Sequence, residues 1–208
     1  MPKKEVPLTH LQQYLPPGTA EAVVQYLQHY HVHLTIARER KSILGDYRHR
    51  THDHHHRISV NGNLNTFSFL ITLLHELAHL LTFEQYSNRV MAHGSEWKKI
   101  YAGLLKQFLL HKVFPADIEH ELLRSLKDPA ASSCAEEGLI RILRKYDPVN
   151  GHKLVEEIPI QGFFMTNDGR VFQKGAQLRK RFKCKELKTG REYLFSPVYE
   201  VEIVRRES

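Results

Sequence analysis

The feature that most constrains this chain is an apolar run over residues 66–82 with His75, Glu76 and His79 at its centre. On a helix, residues four apart lie one above the other, so the two histidines can bind one ion together. Glu76 is offset by one residue, within reach of a water that such an ion activates. The surrounding leucines predict a helix that is buried on most sides, where polar groups without partners are unfavourable. The alternative is a set of satisfied core polar groups, or a chance match among 15 histidines.

A third metal ligand is predicted further along the chain. A catalytic zinc requires three protein ligands and an open position for water. His93 follows His79 by fourteen residues and precedes Gly94, where the next helix is predicted to start. It is the favoured third ligand, and Glu84 and Glu96 are the alternatives. With Glu76 as general base, this pattern predicts a hydrolase with one zinc ion.

The composition indicates a globular protein. Of 208 residues, 41% are hydrophobic and 25% are charged, as in ordinary folded domains. Two cysteines, Cys134 and Cys184, exclude a disulfide scaffold. We expect a cytoplasmic protein without a membrane span, because there is neither a signal-peptide pattern nor a run of 18 apolar residues. The net charge of +7 favours polyanionic partners such as nucleic acid.

Hydrophobic periodicity predicts an α+β domain over residues 1–148. A helix capped by Thr19 and two short strands precede the metal-binding helix, and three helices follow it, the first capped by Ser95. The predicted strands lie at 32–37 and 57–60, and the helices at 20–28, 96–111, 115–126 and 135–146. The segment between the strands is predicted to be a basic connection. Its histidines, at positions 49, 52 and 54–56, are interpreted as a solvated loop that binds metals weakly.

Residues 149–208 are predicted to form a small antiparallel β domain. Its short strands are expected at 158–160, 163–165, 171–172, 179–184, 193–195 and 198–204. Between residues 170 and 191 there are nine lysines and arginines against one acid. One strand is predicted to carry four cations on one face, which favours a surface that contacts nucleic-acid phosphates. These are Arg179, Arg181, Lys183 and Lys185. The alternative is a solvated edge strand that resists aggregation.

The motif His75-Glu76-Leu77-Ala78-His79, followed by the run His93-Gly94-Ser95-Glu96-Trp97-Lys98, resembles the SprT-like (Spartan-type) metalloprotease domain. The resemblance covers roughly residues 20–110 and implies a zincin-like helical core with a small sheet. It also implies zinc-dependent proteolysis, and the best-known members of the family digest proteins crosslinked to DNA. Carried over residue by residue, it implies that His75, His79 and His93 bind zinc and that Glu76 is the catalytic acid/base.

The C-terminal domain departs from the family pattern. Many SprT-like proteins carry a zinc ribbon with four cysteines there, but only Cys184 matches such a position, and Leu187 stands where the next cysteine is expected. We therefore expect a ribbon-like shape held by aromatic side chains and no second zinc. The expected aromatic side chains are Phe163, Phe172, Phe182 and Tyr193.

Three functions are compatible with this sequence. The first is a zinc metalloprotease that acts on DNA-bound or DNA-crosslinked proteins. The second is a zinc-stabilised nucleic-acid-binding or regulatory protein with little hydrolytic activity, and the third is a zinc peptidase with no DNA role.

Overall fold

The computed structural model describes residues 8–40, 42–149 and 151–204. The chain divides into two compact units, Met1–Asp147 and Pro148–Ser208. Among the described residues, the first contains five α-helices and a three-stranded sheet, and the second contains a separate six-stranded sheet. The predicted α+β class with a C-terminal antiparallel β unit is confirmed.

Helices make up most of the first unit. They are α1 (Ala20–His29), α2 (Thr66–Tyr86), α3 (Ser95–Leu110), α4 (Ala116–Ser125) and α5 (Glu137–Leu143). The cap predicted for α3 is wrong, and the cap predicted for α1 is right in position only. Thr19 lies at the N-cap position of α1, as predicted, but its hydroxyl donates to the Pro16 carbonyl and does not cap the helix. Helix α3 begins at Ser95 itself, with Gly94 in the cap position and no capping side chain.

Helix α2 is the centre of this unit. Its first turn is capped by Asn65, whose side chain accepts a hydrogen bond from the backbone N–H of Ser68. Every residue from 68 to 78 is buried, which explains why the sequence is apolar on all faces of the helix. The segment Thr66–Arg89 is long and apolar enough to cross a membrane. However, 72% of its most apolar 18-residue stretch is buried inside the protein. This burial fits the core helix of a soluble protein.

A small mixed sheet packs beside α2. Its strands are β1 (His33–Ala37), β2 (Gly45–Arg48) and β3 (Arg57–Asn61), in the order β1-β3-β2. Strand β1 is parallel to β3, and β2 is antiparallel to it. The prediction that residues 38–50 form only a connection is wrong, because β2 lies within them. The sequence Gly-Asp-Tyr-Arg has no apolar alternation, so β2 is stabilised by pairing with β3 and by packing on α2 rather than by its own periodicity.

The second unit is an antiparallel sheet with the strand order β4-β9-β5-β6-β7-β8. The strands are β4 (Lys153–Leu154), β5 (Phe163–Met165), β6 (Val171–Leu178), β7 (Arg181–Glu186), β8 (Glu192–Phe195) and β9 (Glu200–Ile203). The prediction of a strand at 158–160 is wrong. A 3-10 turn at Val155–Glu157 leads into these residues, and Ile158 is buried.

The core of the second unit contains the predicted aromatic side chains with one exception. Phe172 and Phe182 are buried and Tyr193 packs against them, but Phe164 takes the place predicted for Phe163. Phe164 lies opposite Phe172 across β5 and β6. Alternation along a strand cannot decide which of two adjacent phenylalanines faces inward. The Cys184 thiol is buried in the same core.

Candidate metal centre

Three histidines meet at one point beside α2. One potential ligand nitrogen from each of His75, His79 and His93 lies within 4.8 Å of the other two. His75 and His79 project from the same face of α2, and His93 comes from the connection just before α3. The ring centroids of His79 and His93 are 4.6 Å apart, and those of His75 and His79 are 5.0 Å apart. The structure therefore brings together the three histidines that the sequence favours as ligands.

The two alternative ligands are engaged elsewhere. A carboxylate oxygen of Glu84 lies 3.2 Å from Nε2 of His56 and 3.2 Å from the Arg50 guanidinium. The carboxylate of Glu96 accepts a hydrogen bond from the Ser95 hydroxyl at 3.0 Å. Neither glutamate belongs to the histidine cluster.

The chemistry of this cluster suits a zinc ion. Burial, followed by repulsion from the neighbouring imidazoles, lowers the pKa of His75 to about 3 and that of His79 to about 4. Burial and the Lys98 ammonium also lower the pKa of His93. The rings are therefore neutral at pH 7, which leaves lone pairs for a metal. Nδ1 of His75 and Nε2 of His93 are buried without a hydrogen-bond partner among the described residues, an unfavourable arrangement that a bound ion would relieve.

Aromatic side chains of α3 pack against the imidazoles. The Trp97 ring centroid lies 4.7 Å from those of His75 and His93 and 5.2 Å from that of His79. Tyr101 stacks on Trp97 one turn later and also contacts His75. Both residues are buried. The family motif marks Trp97 in the sequence. No motif marks Tyr101, although it follows Trp97 by four positions and therefore lies on the same face of α3.

Glu76 lies beside the cluster in a buried position. Burial, followed by the Asp46 carboxylate, raises the pKa of Glu76 to about 8, and Arg40 acts in the opposite direction. A cation bound next to this carboxyl would lower its pKa again. The carboxyl is therefore held in surroundings where it can both accept and release a proton near neutral pH.

Gly45 of β2 is in close contact with this glutamate. A Cβ atom at position 45 would lie 2.6 Å from Oε1 of Glu76 and 2.8 Å from Cγ2 of Thr72. The strand thus passes so close to the carboxyl that only glycine fits. The sequence shows Gly45 only as part of a connection, because the requirement for glycine arises from the packing of β2 on α2.

An open cleft of about 710 Å³ leads to the histidines and Glu76. Its walls come from the segment 42–47, the end of α2, the connection 87–93 and the loop 131–133. Two large apolar side chains in this lining are exposed, Ile43 at 44% and Met91 at 81%. The cleft thus offers both an apolar surface and access to the histidines.

The interpretation of the histidine-rich segment as a solvated loop is wrong for His56. His52, His54 and His55 are exposed, but His56 is buried and contacts Tyr47 and Glu84. The His49 ring stacks on Phe83 of α2 at 4.6 Å. Hydrophobic periodicity gives no signal for either contact, because His49 and His56 stand at the two ends of an otherwise polar tract.

Three of the four predicted nucleic-acid contacts share one face of β7. Arg181, Lys183 and Lys185 alternate with the buried residues Phe182, Cys184 and Glu186. The fourth, Arg179, is in the β6–β7 turn with a φ of 53° and does not lie on the strand. Strand β7 pairs on both sides, with β6 and β8, so the edge-strand alternative is wrong.

Not every cation of this segment is available to a partner. The Lys183 ammonium is 2.8 Å from the Glu192 carboxylate. Lys174 is buried, and its ammonium donates to the Ile158 carbonyl at 2.5 Å and lies 3.9 Å from the Phe182 ring centroid. Arg181 and Lys185 are exposed and are the strongest candidates on the strand.

Comparison with known proteins identifies the first unit. A search of curated proteins and a search of solved structures each found no match. Residues 18–120 match the sequence model of the SprT-like family. This range contains the three histidines, Glu76, Gly45 and Trp97, and by this match the first unit belongs to the SprT-like family.

Proposed function

We propose that this chain is a zinc-dependent metalloprotease that works in association with DNA, in the cytoplasm, on DNA-bound or DNA-crosslinked proteins. The observation that carries the proposal is the meeting of three neutral imidazoles, one buried and two half-buried, with the Glu76 carboxyl in an open cleft. Three histidine ligands leave a fourth position free on zinc, which distinguishes catalytic from structural sites.

The residues of the cleft account for the chemistry of peptide hydrolysis. His75, His79 and His93 would hold the zinc ion, which when bound lowers the pKa of water and polarises a carbonyl. Glu76 accepts a proton from the attacking water at its carboxylate and passes a proton to the leaving amine. Gly45 keeps this carboxyl in place by allowing β2 to lie directly against it. Trp97 and Tyr101 exclude water from the far side of the imidazoles.

Strand β2 lies at the edge of the three-stranded sheet in the described part of the chain, which supports an extended polypeptide as substrate. In an antiparallel pair, backbone groups of alternate residues point toward the partner strand. The Asn61 N–H donates to the Leu44 carbonyl, so Asp46 also points toward β3, while the backbone groups of Gly45 and Tyr47 point away from it. Both residues line the cleft. An unfolded segment can therefore add to β2 as a further strand.

Association with DNA is supported by the charge of the second unit. Exposed cations occur along β7 and in the turns that flank it, among them Arg181 and Lys185. Cations arranged along a strand can follow a phosphate backbone, and binding of this kind weakens steeply with salt.

One experiment tests both parts of the proposal. Zinc-loaded protein is incubated with an unfolded protein substrate, with and without DNA, as wild type and as the double variant Arg181→Glu/Lys185→Glu. We expect cleavage by the wild type, stimulation by DNA, and loss of the stimulation but not of basal cleavage in the variant. DNA affinity should fall at least tenfold, since each lost phosphate contact removes a favourable, salt-dependent contribution.

The matched control is Lys106→Glu/Lys127→Glu, which changes the net charge equally at exposed positions of the first unit. Its DNA stimulation should persist. If DNA changed the cleavage rate of no variant, including the wild type, the protein would be a peptidase without a DNA role. DNA binding without cleavage under any condition would favour a zinc-stabilised nucleic-acid-binding or regulatory protein.

A further inference from the structure

We infer that Tyr47 positions the His79 imidazole for metal binding and that the histidine-rich loop, through His56, holds Tyr47 in place. The inference rests on the proposed metal centre and concerns a residue outside its ligand set. It also gives a role to the buried end of a loop whose other histidines are exposed.

Tyr47 and His79 lie side by side in the cleft. Their rings are almost parallel, at an angle of 4°, with centroids 6.4 Å apart. Tyr47 belongs to β2, whereas His79 belongs to α2, so the contact joins the strand to the metal-binding helix. The other rings next to His79 are those of His75, His93 and Trp97, which belong to α2, the connection before α3, and α3. Tyr47 thus borders the imidazole from a different element.

The hydroxyl of Tyr47 is fixed by His56. The distance from the Tyr47 oxygen to Nδ1 of His56 is 2.9 Å, and the backbone nitrogen of Arg50 is 3.3 Å from the same Nδ1. Nε2 of His56 lies 3.2 Å from the Glu84 carboxylate, which can only accept. Nε2–H therefore donates to Glu84, and Nδ1 accepts from Tyr47 and from Arg50. Burial lowers the pKa of His56, which is consistent with this neutral tautomer.

These contacts form a closed path that begins and ends on α2. From His79 the path runs through the Tyr47 ring, the Tyr47 hydroxyl and His56 to Glu84, which lies five residues after His79 on the same helix. Arg50 also pairs with Glu84 at 3.2 Å. Because both ends of the path are attached to one rigid helix, Tyr47 has a fixed position against the imidazole.

A fixed imidazole binds metal more tightly. If the His79 ring were free to rotate, binding would have to restrict that rotation, and affinity would fall. Groups that orient a ligand histidine typically contribute 10- to 100-fold to metal affinity. We therefore expect Tyr47 to affect zinc affinity through its ring and, to a smaller extent, through the hydroxyl that anchors the ring.

The test measures zinc affinity by competition with a chromophoric chelator, and the absorption spectrum of the Co²⁺-loaded protein. Tyr47→Ala should weaken zinc binding about 10- to 100-fold and alter the Co²⁺ spectrum. Tyr47→Leu fills the space without a flat ring and should behave similarly, even if the alanine variant is too unstable to measure. Tyr47→Phe keeps the ring and should stay within about threefold of wild type.

The matched control is Tyr14→Ala. Tyr14 stacks on Phe69 of α2 with centroids 5.4 Å apart, so its loss also removes a ring from α2, but away from the metal ligands. We expect it to lower the melting temperature and leave zinc affinity and the Co²⁺ spectrum unchanged. Wild-type zinc affinity in Tyr47→Leu, or an equal loss in Tyr14→Ala, would overturn the role of Tyr47. If His79→Ala bound zinc as tightly as wild type, the proposed centre itself would be wrong.

Discussion

Replacement of Glu76 by glutamine is expected to reduce peptide hydrolysis by a factor of about 10²–10⁴ while zinc content stays at the wild-type level. Glutamine has the shape of glutamate and can fill the same buried space against Gly45. It cannot accept a proton from water or pass one to a leaving amine. Glu76 is also absent from the cluster of potential ligand atoms, so the metal should remain bound.

The measurement is the cleavage rate of an unfolded protein by zinc-loaded protein, together with zinc content by elemental analysis. Glu96→Gln is the matched control, because this glutamate follows His93 by three residues and its carboxylate accepts a hydrogen bond from the Ser95 hydroxyl rather than joining the cluster. Its cleavage rate should equal that of the wild type. Hydrolysis by Glu76→Gln at the wild-type rate would show that another group transfers the proton.

Gly45→Ala is expected to have the second-largest effect on activity. The added methyl group would lie 2.6 Å from Oε1 of Glu76, so either the carboxyl or β2 must move. Overpacking of this kind destabilises a protein by about 1–3 kcal/mol. Displacement of a reacting group by about 1 Å can lower the rate on the order of 10²-fold. Denaturant unfolding and cleavage rates of the zinc-loaded protein measure the two effects.

Gly103→Ala provides the control for this substitution. Gly103 lies within α3, and a Cβ atom there would meet nothing within 4 Å. Alanine should therefore stabilise the protein by about 0.5–1 kcal/mol and leave the cleavage rate unchanged. If Gly45→Ala were as stable and as active as Gly103→Ala, the close approach of β2 to Glu76 would have no functional role.

Residue spacing and hydrophobic periodicity are sufficient to predict the metal-binding helix and to identify the candidate metal ligands. The spacing of His75 and His79 and the apolar run around them are properties of α2 alone. The position of His93 just before the predicted start of α3 favours it as the third ligand, and the structure brings it to the same cluster. The helices after α3 were also predictable, because each has an apolar stripe of helical period.

Features that depend on contact between distant segments were not predictable. Strand β2 has no periodic signal and exists through its pairing with β3. The need for glycine at position 45 becomes visible only when β2 lies on Glu76. His56 is separated from Glu84 by most of α2 in sequence, so its burial could not be distinguished from the exposure of neighbouring histidines. Similarly, Arg179 lies in a turn because β6 ends at Leu178 and β7 begins at Arg181, which pairs with Leu178.

Zinc content of the purified protein tests the central claim most directly, measured for the wild type, His93→Ala and His54→Ala. His54 is exposed in the histidine-rich loop and controls for the loss of any histidine. If His75, His79 and His93 form one site, we expect about one zinc per chain in the wild type and in His54→Ala, and almost none in His93→Ala. A full equivalent of zinc retained by His93→Ala after dialysis would contradict the site.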